Sequence, residues 1–273
     1  MIDLKNKTNI IFEQSDMYKL AIPHYCISAG TEYPAHWHEG HEFLTGVKGS
    51  VTVRIDNEDI ILKPGESICI NPYQIHSFQP IEYAEYSCML IMPDFYKMSG
   101  IDINTTIFKN SYCDKILAEL ASKITKELID KPDLMYVARI HQYAIEYFIH
   151  MFKNYRKEFS NNIQYQSKKH LAVINALNFI NENYQLKISV DDISEASGYS
   201  RYHFARIFKE YTGTNIINHI NSKRINKAKK LLTQNIESID KIALECGFEN
   251  SSYFAKVFRD HCGCLPTEFR KNN

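Results

Sequence analysis

SVDDISEASGYSRYHFARIFKEYTG, residues 189–213, and SIDKIALECGFENSSYFAKVFRDHCG, residues 238–263, are two versions of one pattern. Ser189, Asp191, Ile193 and Gly198 recur as Ser238, Asp240, Ile242 and Gly247. The second copy then has one extra residue, after which Phe204, Ala205, Phe208 and Gly213 recur as Phe254, Ala255, Phe258 and Gly263. Each serine is placed to cap a short helix, and each isoleucine gives that helix an inward contact. Each glycine supplies a sharp turn with positive φ. Tyr199 and Phe248 follow as plugs between helices, and the phenylalanine pairs anchor a second helix at i and i+4. This is the pattern of a helix–turn–helix, expected twice, at 190–211 and 238–261.

The second helix of each copy leaves side chains off its phenylalanine face. In the first these are Arg201, Tyr202, Ala205, Arg206 and Lys209; in the second, Asn250, Ser251, Ser252, Lys256 and Arg259. Such side chains meet base edges or phosphates, so double-stranded DNA is the implied partner. IINHINSKRINKAKKLL, residues 216–232, joins the copies as one uninterrupted helix with a basic flank of Lys223, Arg224, Lys227, Lys229 and Lys230. Recognition helices in successive major grooves on one DNA face must lie about 34 Å apart, and this helix would fix their separation.

Outward from the repeat, helices are expected at 171–184 and 266–271, and the polar run EFSNNIQYQSK, 158–168, reads as a linker. Upstream, Ile116, Leu117, Leu120, Ile124 and Leu128 recur at helical spacing, and a second run over 134–159 is apolar on more than one face. That second run either packs both against the rest of the chain and against a second copy of it or is simply buried. Residues 20–93 change period. AIPHYCISAG, EFLTGV, SVTVRID, DIILKPG and SICINP read as strands of a barrel or sandwich. Val51, Val53 and Ile55 share one face, Asp56-Asn57 turns a hairpin over 51–63, and Pro64-Gly65 makes another turn.

The 273 residues allow about two domains. Lys+Arg and Asp+Glu both number 32, but residues 171–273 carry 14 basic and 11 acidic side chains, a mildly basic end. The seven cysteines are odd in number and form no C-x-x-C pair, so free thiols in a reducing cytosol are expected. Residues 1–20 lack the basic start and apolar run of a signal segment, and no run of 18 apolar residues could span a membrane.

Residues 171–273 resemble the DNA-binding domain of the AraC/XylS family of bacterial transcription regulators. The resemblance is carried by GYSRYHFARIFKEYTG, INSKRINKAKKLL, the second copy above and the terminal PTEFRK. It implies that each second helix enters a major groove. Tyr202, Ala205 and Arg206 match base-facing positions in the first motif, and Ser251, Ser252 and Lys256 match them in the second. The short serines depart from the usual pattern and imply less stringent reading there.

HWHEGHEF, residues 36–43, packs three histidines and two glutamates into eight positions. On a strand, His36 and His38 would share a face, and Glu42 and His76 could complete a facial set for Fe, Mn, Ni or Zn. Gly30, His36, His38, Glu42 and Gly49 match the first motif of the cupins, G-x5-H-x-H-x3-E-x6-G, and Gly65, Pro72 and His76 a looser second motif with Tyr73 in place of a glycine. Three readings follow: a metal-dependent enzyme with an accessory DNA-binding domain, a pocket for a small effector, or a structural cluster. Tied to a DNA-reading module, the pocket reports rather than catalyses, so no resident cofactor is expected. His41 is expected to face away from the set, and Trp37 to pack at the core or rim.

The expected protein is α+β and multidomain: a cupin-like β-barrel over 1–110 binding a small effector, a helical dimerisation region over 111–160, a linker over 161–170 and an all-α DNA-binding domain over 171–273. It is read as a cytoplasmic, non-enzymatic regulator, a homodimer on promoter DNA with RNA polymerase as a candidate further partner and no membrane contact.

Overall fold

The computed structural model of the chain describes residues 21–29, 33–81, 83–157, 167–234 and 237–272. The segment read for a signal, Gly30 of the cupin motif and residues 161–166 of the expected linker lie outside the described residues.

The strands are β1 (Ala21–Ala29), β2 (Tyr33–His36), β3 (His41–Lys48), β4 (Val51–Ile55), β5 (Glu58–Leu62), β6 (Ser67–Ile70), β7 (His76–Pro80) and β8 (Tyr83–Ile91), with two-residue strands β9 (Ile107–Phe108), β10 (Ser111–Tyr112) and β11 (Arg156–Lys157). One antiparallel sheet runs β1-β8-β3-β6-β10 and a second β2-β7-β4-β5. The predicted alternation of β4 holds. Val51, Val53 and Ile55 are buried with Leu44, Ile68, Ile70 and Phe78 in one apolar cluster. The hairpin of β4 and β5 turns at Asp56, whose φ is 54°.

β3 is buried without alternation from His41 to Gly46 because both of its faces are covered. Leu44 belongs to the β4 cluster, while Phe43 belongs to a separate one built with the helices α2 (Lys115–Asp130) and α3 (Tyr136–Asn154). The short α1 (Pro93–Ser99) adds Phe95 and Tyr96 to it. α2 buries Leu117, Leu120, Ile124 and Leu128, but Ile116, expected on that face, is 53% exposed. One residue is about 100° of helix, enough to carry it off the stripe that Leu117 begins. α3 buries Ile140, Ala144, Tyr147, Phe148 and Met151 and leaves Ile145 and Ile149 exposed, so its second apolar face is present.

The rest is helical: α4 (Lys168–Asn183), α5 (Val190–Ser197), α6 (Arg201–Thr212), α7 (Ile216–Gln234), α8 (Ile239–Glu245), α9 (Ser251–Cys262) and α10 (Pro266–Asn272). α4 starts three residues before the boundary at 171, inside the expected linker, because the Ser167 hydroxyl accepts from the His170 N–H and caps it. The helical and β units are not separate bodies joined by a thread. Ala35 and Ile75, from the second sheet's end, are buried in one cluster with Val173, Leu177, Phe204 and Phe208. Among the described residues, the six cysteines with described side chains are in no disulfide, and no helix is long and apolar enough to cross a membrane.

Candidate functional site

The chain folds its histidine-rich stretch onto the end of the second sheet. β2 pairs antiparallel with β7 so that His36 lies opposite His76, and Glu42 enters from the start of β3. His38 follows β2 rather than lying on it, yet its ring still turns inward. One ligand atom from each of His36, His38, Glu42 and His76 lies within 4.8 Å of the others. The four expected pocket residues are therefore brought together. His41 is buried elsewhere, its Nε2 donating to the Thr106 carbonyl at 3.0 Å.

The three rings are held alike. Nδ1 of His36 lies 3.1 Å from the Pro34 carbonyl, that of His38 2.9 Å from the Gly40 carbonyl, and that of His76 2.9 Å from the Gln74 carbonyl. A carbonyl only accepts, so each Nδ1 carries the proton, and in the neutral ring Nε2 is the lone-pair nitrogen. Glu42 Oε2 lies 3.2 Å from His38 Nε2 and 3.1 Å from His76 Nε2. The buried His76 Nε2 lacks the alignment of a hydrogen bond to it. Acceptor then faces acceptor, and a cation, either a proton or a metal ion, belongs between them. Burial beside His76 holds the His36 imidazole neutral, well below its usual range. Burial alone would raise the Glu42 carboxyl, but the His38 and His76 rings outweigh it and hold it low. Its other oxygen, Oε1, accepts from the Cys88 thiol at 2.7 Å. Cys88 belongs to the site, and no spacing motif marks it.

The same strands carry a second surface. Ala35, Trp37 and Ile75 alternate with the histidines and belong to the cluster that contains α4 and α6. Trp37 Nε1 donates to Asn178 Oδ1 at 3.0 Å, and its ring stacks on Tyr73 with centroids 5.7 Å apart. So the tryptophan expected at the core or rim bridges two domains. Tyr73, where the cupin motif has glycine, adopts a φ of 65°, a region that costs an L-residue about 1 kcal/mol or more. Its own N–H donates to the His38 carbonyl at 2.9 Å. Around the edge, Arg54 Nη2 donates to the Glu210 carbonyl of α6 at 2.9 Å. Asp56 accepts from the Ile75 N–H at 3.1 Å and lies 3.6 Å from His170 Nε2 of α4.

The two helix–turn–helix copies repeat in three dimensions. Ser189 and Ser238 cap α5 and α8, with a full capping box between Ser189 and Asp192. Gly198 and Gly247 take φ of 71° and 89°. Phe204, Phe208, Phe254 and Phe258 are fully buried, and Phe248 packs on Phe254 at 5.0 Å. On the outer faces, Tyr202 is 88% exposed, and Arg206, Lys209, Ser252, Lys256 and Arg259 are exposed around it and its counterpart; Ala205 is half-buried. Three of the ten expected DNA contacts have work inside the protein. Arg201 Nη1 reaches both oxygens of Asp191 at 3.1 and 2.9 Å, the Ser251 hydroxyl donates to Asp240, and Asn250 caps α9 through the Tyr253 N–H at 2.8 Å. The first two are one link made twice, from the first residue of the second helix to the matching aspartate.

The basic flank read on α7 is not a free one. Lys223, Arg224, Lys227 and Lys229 are half-buried, and burial pushes the Lys223 and Lys229 ammonium groups down. Lys223 Nζ donates to Asn181 Oδ1 at 2.9 Å, and Arg224 donates from Nε and Nη2 to carbonyls just after α4.

Residues 193–272 match the family model of the helix-turn-helix domain, and residues 23–91 that of the cupin domain. The uncharacterized HTH-type transcriptional regulator YbfI of Bacillus subtilis is 25% identical over 226 residues, 81% of each chain. The HTH-type transcriptional activator AarP of Providencia stuartii is 35% identical over 108 residues, 39% of this chain and 77% of that one. ToxT of Vibrio cholerae has the same fold, with a TM-score of 0.52 at 16% identity over 93% of this chain and 98% of that chain.

Proposed function

Because the chain belongs to the AraC/XylS family of helix–turn–helix transcription regulators, with a cupin domain in front, we propose that α6 and α9 bind promoter DNA and that a small effector at the His36, His38, Glu42 and His76 cluster modulates this binding. The relatives are transcription regulators, so the chain is a regulator and not the metal-dependent enzyme its histidine motif also suggested. Arg206, Lys209, Lys256 and Arg259 would supply charge to phosphates and bases, and Tyr202 and Ser252 contacts to base edges.

One observation carries the modulation. β2, β7 and the residues adjoining them present histidines to the cluster on one side and Ala35, Trp37 and Ile75 to the DNA-binding unit on the other. Anything that draws the rings together must move, or stiffen, the strands on which α4 rests. An effector preferring one arrangement would shift the population of the other, with a coupling of about 1–3 kcal/mol. ToxT has been crystallised with (E)-4-(8-methylnaphthalen-1-yl)but-3-enoic acid, which supports uptake of a small molecule by this kind of fold.

A second reading is favoured by the rings' tautomers. Three imidazoles with Nδ1 locked to carbonyls, two of them with Nε2 beside the Glu42 carboxylate, fit a divalent ion, which His36, His38, Glu42 and His76 would hold. Such an ion would supply a positive charge between Glu42 and the Nε2 atoms, as the effector itself or as its seat. The exposed Ile145 and Ile149 of α3 support pairing of two copies, and RNA polymerase is a further proposed partner.

Trp37 is the one tryptophan of the chain, so its emission reports on the contact with Asn178. Metal-free full-length protein is titrated with zinc, manganese, sugars and carboxylic acids, following melting temperature, Trp37 emission and affinity for promoter fragments. A ligand should move all three, and the double variant His36→Ala/His38→Ala should respond in none. A ligand that raises the melting temperature through these histidines but leaves DNA affinity unchanged refutes the modulation.

A further inference from the structure

Between the two motifs lies a second connection that runs beside α7. The turn after α4, residues 184–187, is gripped from both sides. Arg224 of α7 donates from Nε to the Tyr184 carbonyl at 2.7 Å and from Nη2 to the Leu186 carbonyl at 2.9 Å. Its guanidinium lies 5.5 Å from the ring of Phe248, the plug of the second motif. A β-carbon on Gly247 would lie 2.7 Å from the Gln185 carbonyl oxygen, so the two turns are in backbone contact. Lys187 and Glu249 close the outer edge with an ion pair of 2.8 Å. The neighbours of Arg224 divide the same way. Lys223 reaches back to Asn181 of α4, while Asn221 donates to the Tyr253 hydroxyl of α9 at 3.1 Å.

A single helix joining two bodies resists stretching but permits bending and rotation about its axis. A second strut beside it removes those freedoms. We propose that Arg224, by clamping the 184–187 turn against the Phe248 plug, sets the separation and rotation of α6 and α9. It thereby fixes the spacing of DNA half-sites that the protein accepts, although it touches no DNA. Arg224 is a positioning residue, and its role differs from that of a phosphate-binding lysine. Losing it should change which spacings bind, and not how tightly one half-site binds. The inference rests on α6 and α9 both reading DNA.

The test is selection from a random-sequence duplex library by the full chain and by R224M and R224K. Circular dichroism and melting temperature establish that each variant is folded. Wild type should enrich two short sequence blocks at one spacing. R224M should enrich the same blocks at several spacings and bind the wild-type site about tenfold more weakly, as expected for the loss of about one charged hydrogen bond. Affinity for a duplex carrying one block should stay within about twofold. R224K reaches one carbonyl at most, is the milder change should R224M not fold, and should give an intermediate spread. A single unchanged spacing in the folded variants overturns the proposal. If wild type itself enriches no paired blocks, the reading of two DNA-binding helices fails instead.

Discussion

The two turn glycines make an internal experiment. Gly198 and Gly247 hold equivalent places in the repeat, at φ of 71° and 89°. Replacing either by alanine puts a β-carbon in the left-handed region, at a cost of about 1–2 kcal/mol. They differ in what that carbon meets. At Gly198 nothing lies within 4 Å, whereas at Gly247 the Gln185 oxygen, carbonyl carbon and α-carbon lie at 2.7, 2.8 and 2.8 Å. Ordinary contact demands that this backbone retreat by roughly half an ångström or more, since small radial errors already forfeit much of a packing contact. Gln185 sits between the two carbonyls that Arg224 holds. Breaking one such bond, from a charged donor, costs about 1.5–3 kcal/mol. Gly198→Ala should therefore cost about 1–2 kcal/mol and Gly247→Ala about 3–5 kcal/mol. For a unit of some 100 residues, 1 kcal/mol moves the midpoint by about 4–8 °C, so the variants should melt roughly 10 °C apart. Thermal unfolding followed by far-ultraviolet circular dichroism reads the difference. Equal losses at the two glycines would refute the idea that the second motif's turn is packed against the end of α4.

Other residues give shorter tests. Arg206→Ala should cost about 1–3 kcal/mol in specific binding and relax base preference under the first motif, measured by competition with non-specific DNA. His219 is buried against Phe208, neither ring nitrogen has a hydrogen-bond partner among the described residues, and burial holds its pKa at about 3. The folded state keeps it neutral while the unfolded chain takes up a proton below its ordinary pKa of about 6.5. Its contribution is thus full above that pH and lost as pH falls toward 3, at about 1.4 kcal/mol per unit. His219→Leu should remove this part of the acid sensitivity, and denaturation at pH 7 and pH 5 would expose a slope that does not change. Tyr73→Gly relieves a positive φ but removes the ring under Trp37, so stability should stay within about 1 kcal/mol while Trp37 emission shifts; constant emission would contradict the stack. Ile145→Glu with Ile149→Glu should convert the proposed dimer to single chains in sedimentation, and an unchanged mass would remove α3 as the pairing face.

What could be read in advance was what is local. Caps, turn glycines and the Phe204/Phe208 and Phe254/Phe258 spacings lie within a few residues of what they control, so the helix–turn–helix copies were legible almost to their ends. The histidine cluster was legible as a set because strand alternation and one glutamate predict a common face. Its manner of assembly was not, since His38 lies beyond β2 and turns inward through the Gly40 carbonyl. Arg224 was read only as part of a basic flank, because charge is visible in a sequence and a carbonyl partner 40 residues away is not. Cys88 and Asn178 carry no motif at all. Trp37 looked like an ordinary packing residue, which it is, but the surface it packs against belongs to the other domain.

The two-faced pair of β2 and β7 has an evolutionary corollary. Neighbouring positions along these stretches face different ways, so on the proposed reading a substitution could retune the ligand the cluster accepts without disturbing the surface against α4. His36 can change while Ala35 and Trp37 stay. Insertion or deletion of one residue is another matter. It would exchange the faces, turning Trp37 toward the cluster and a histidine toward α4, and so would break the cluster and the contact with α4 in one step. This part of the chain should drift readily in identity and hardly at all in length.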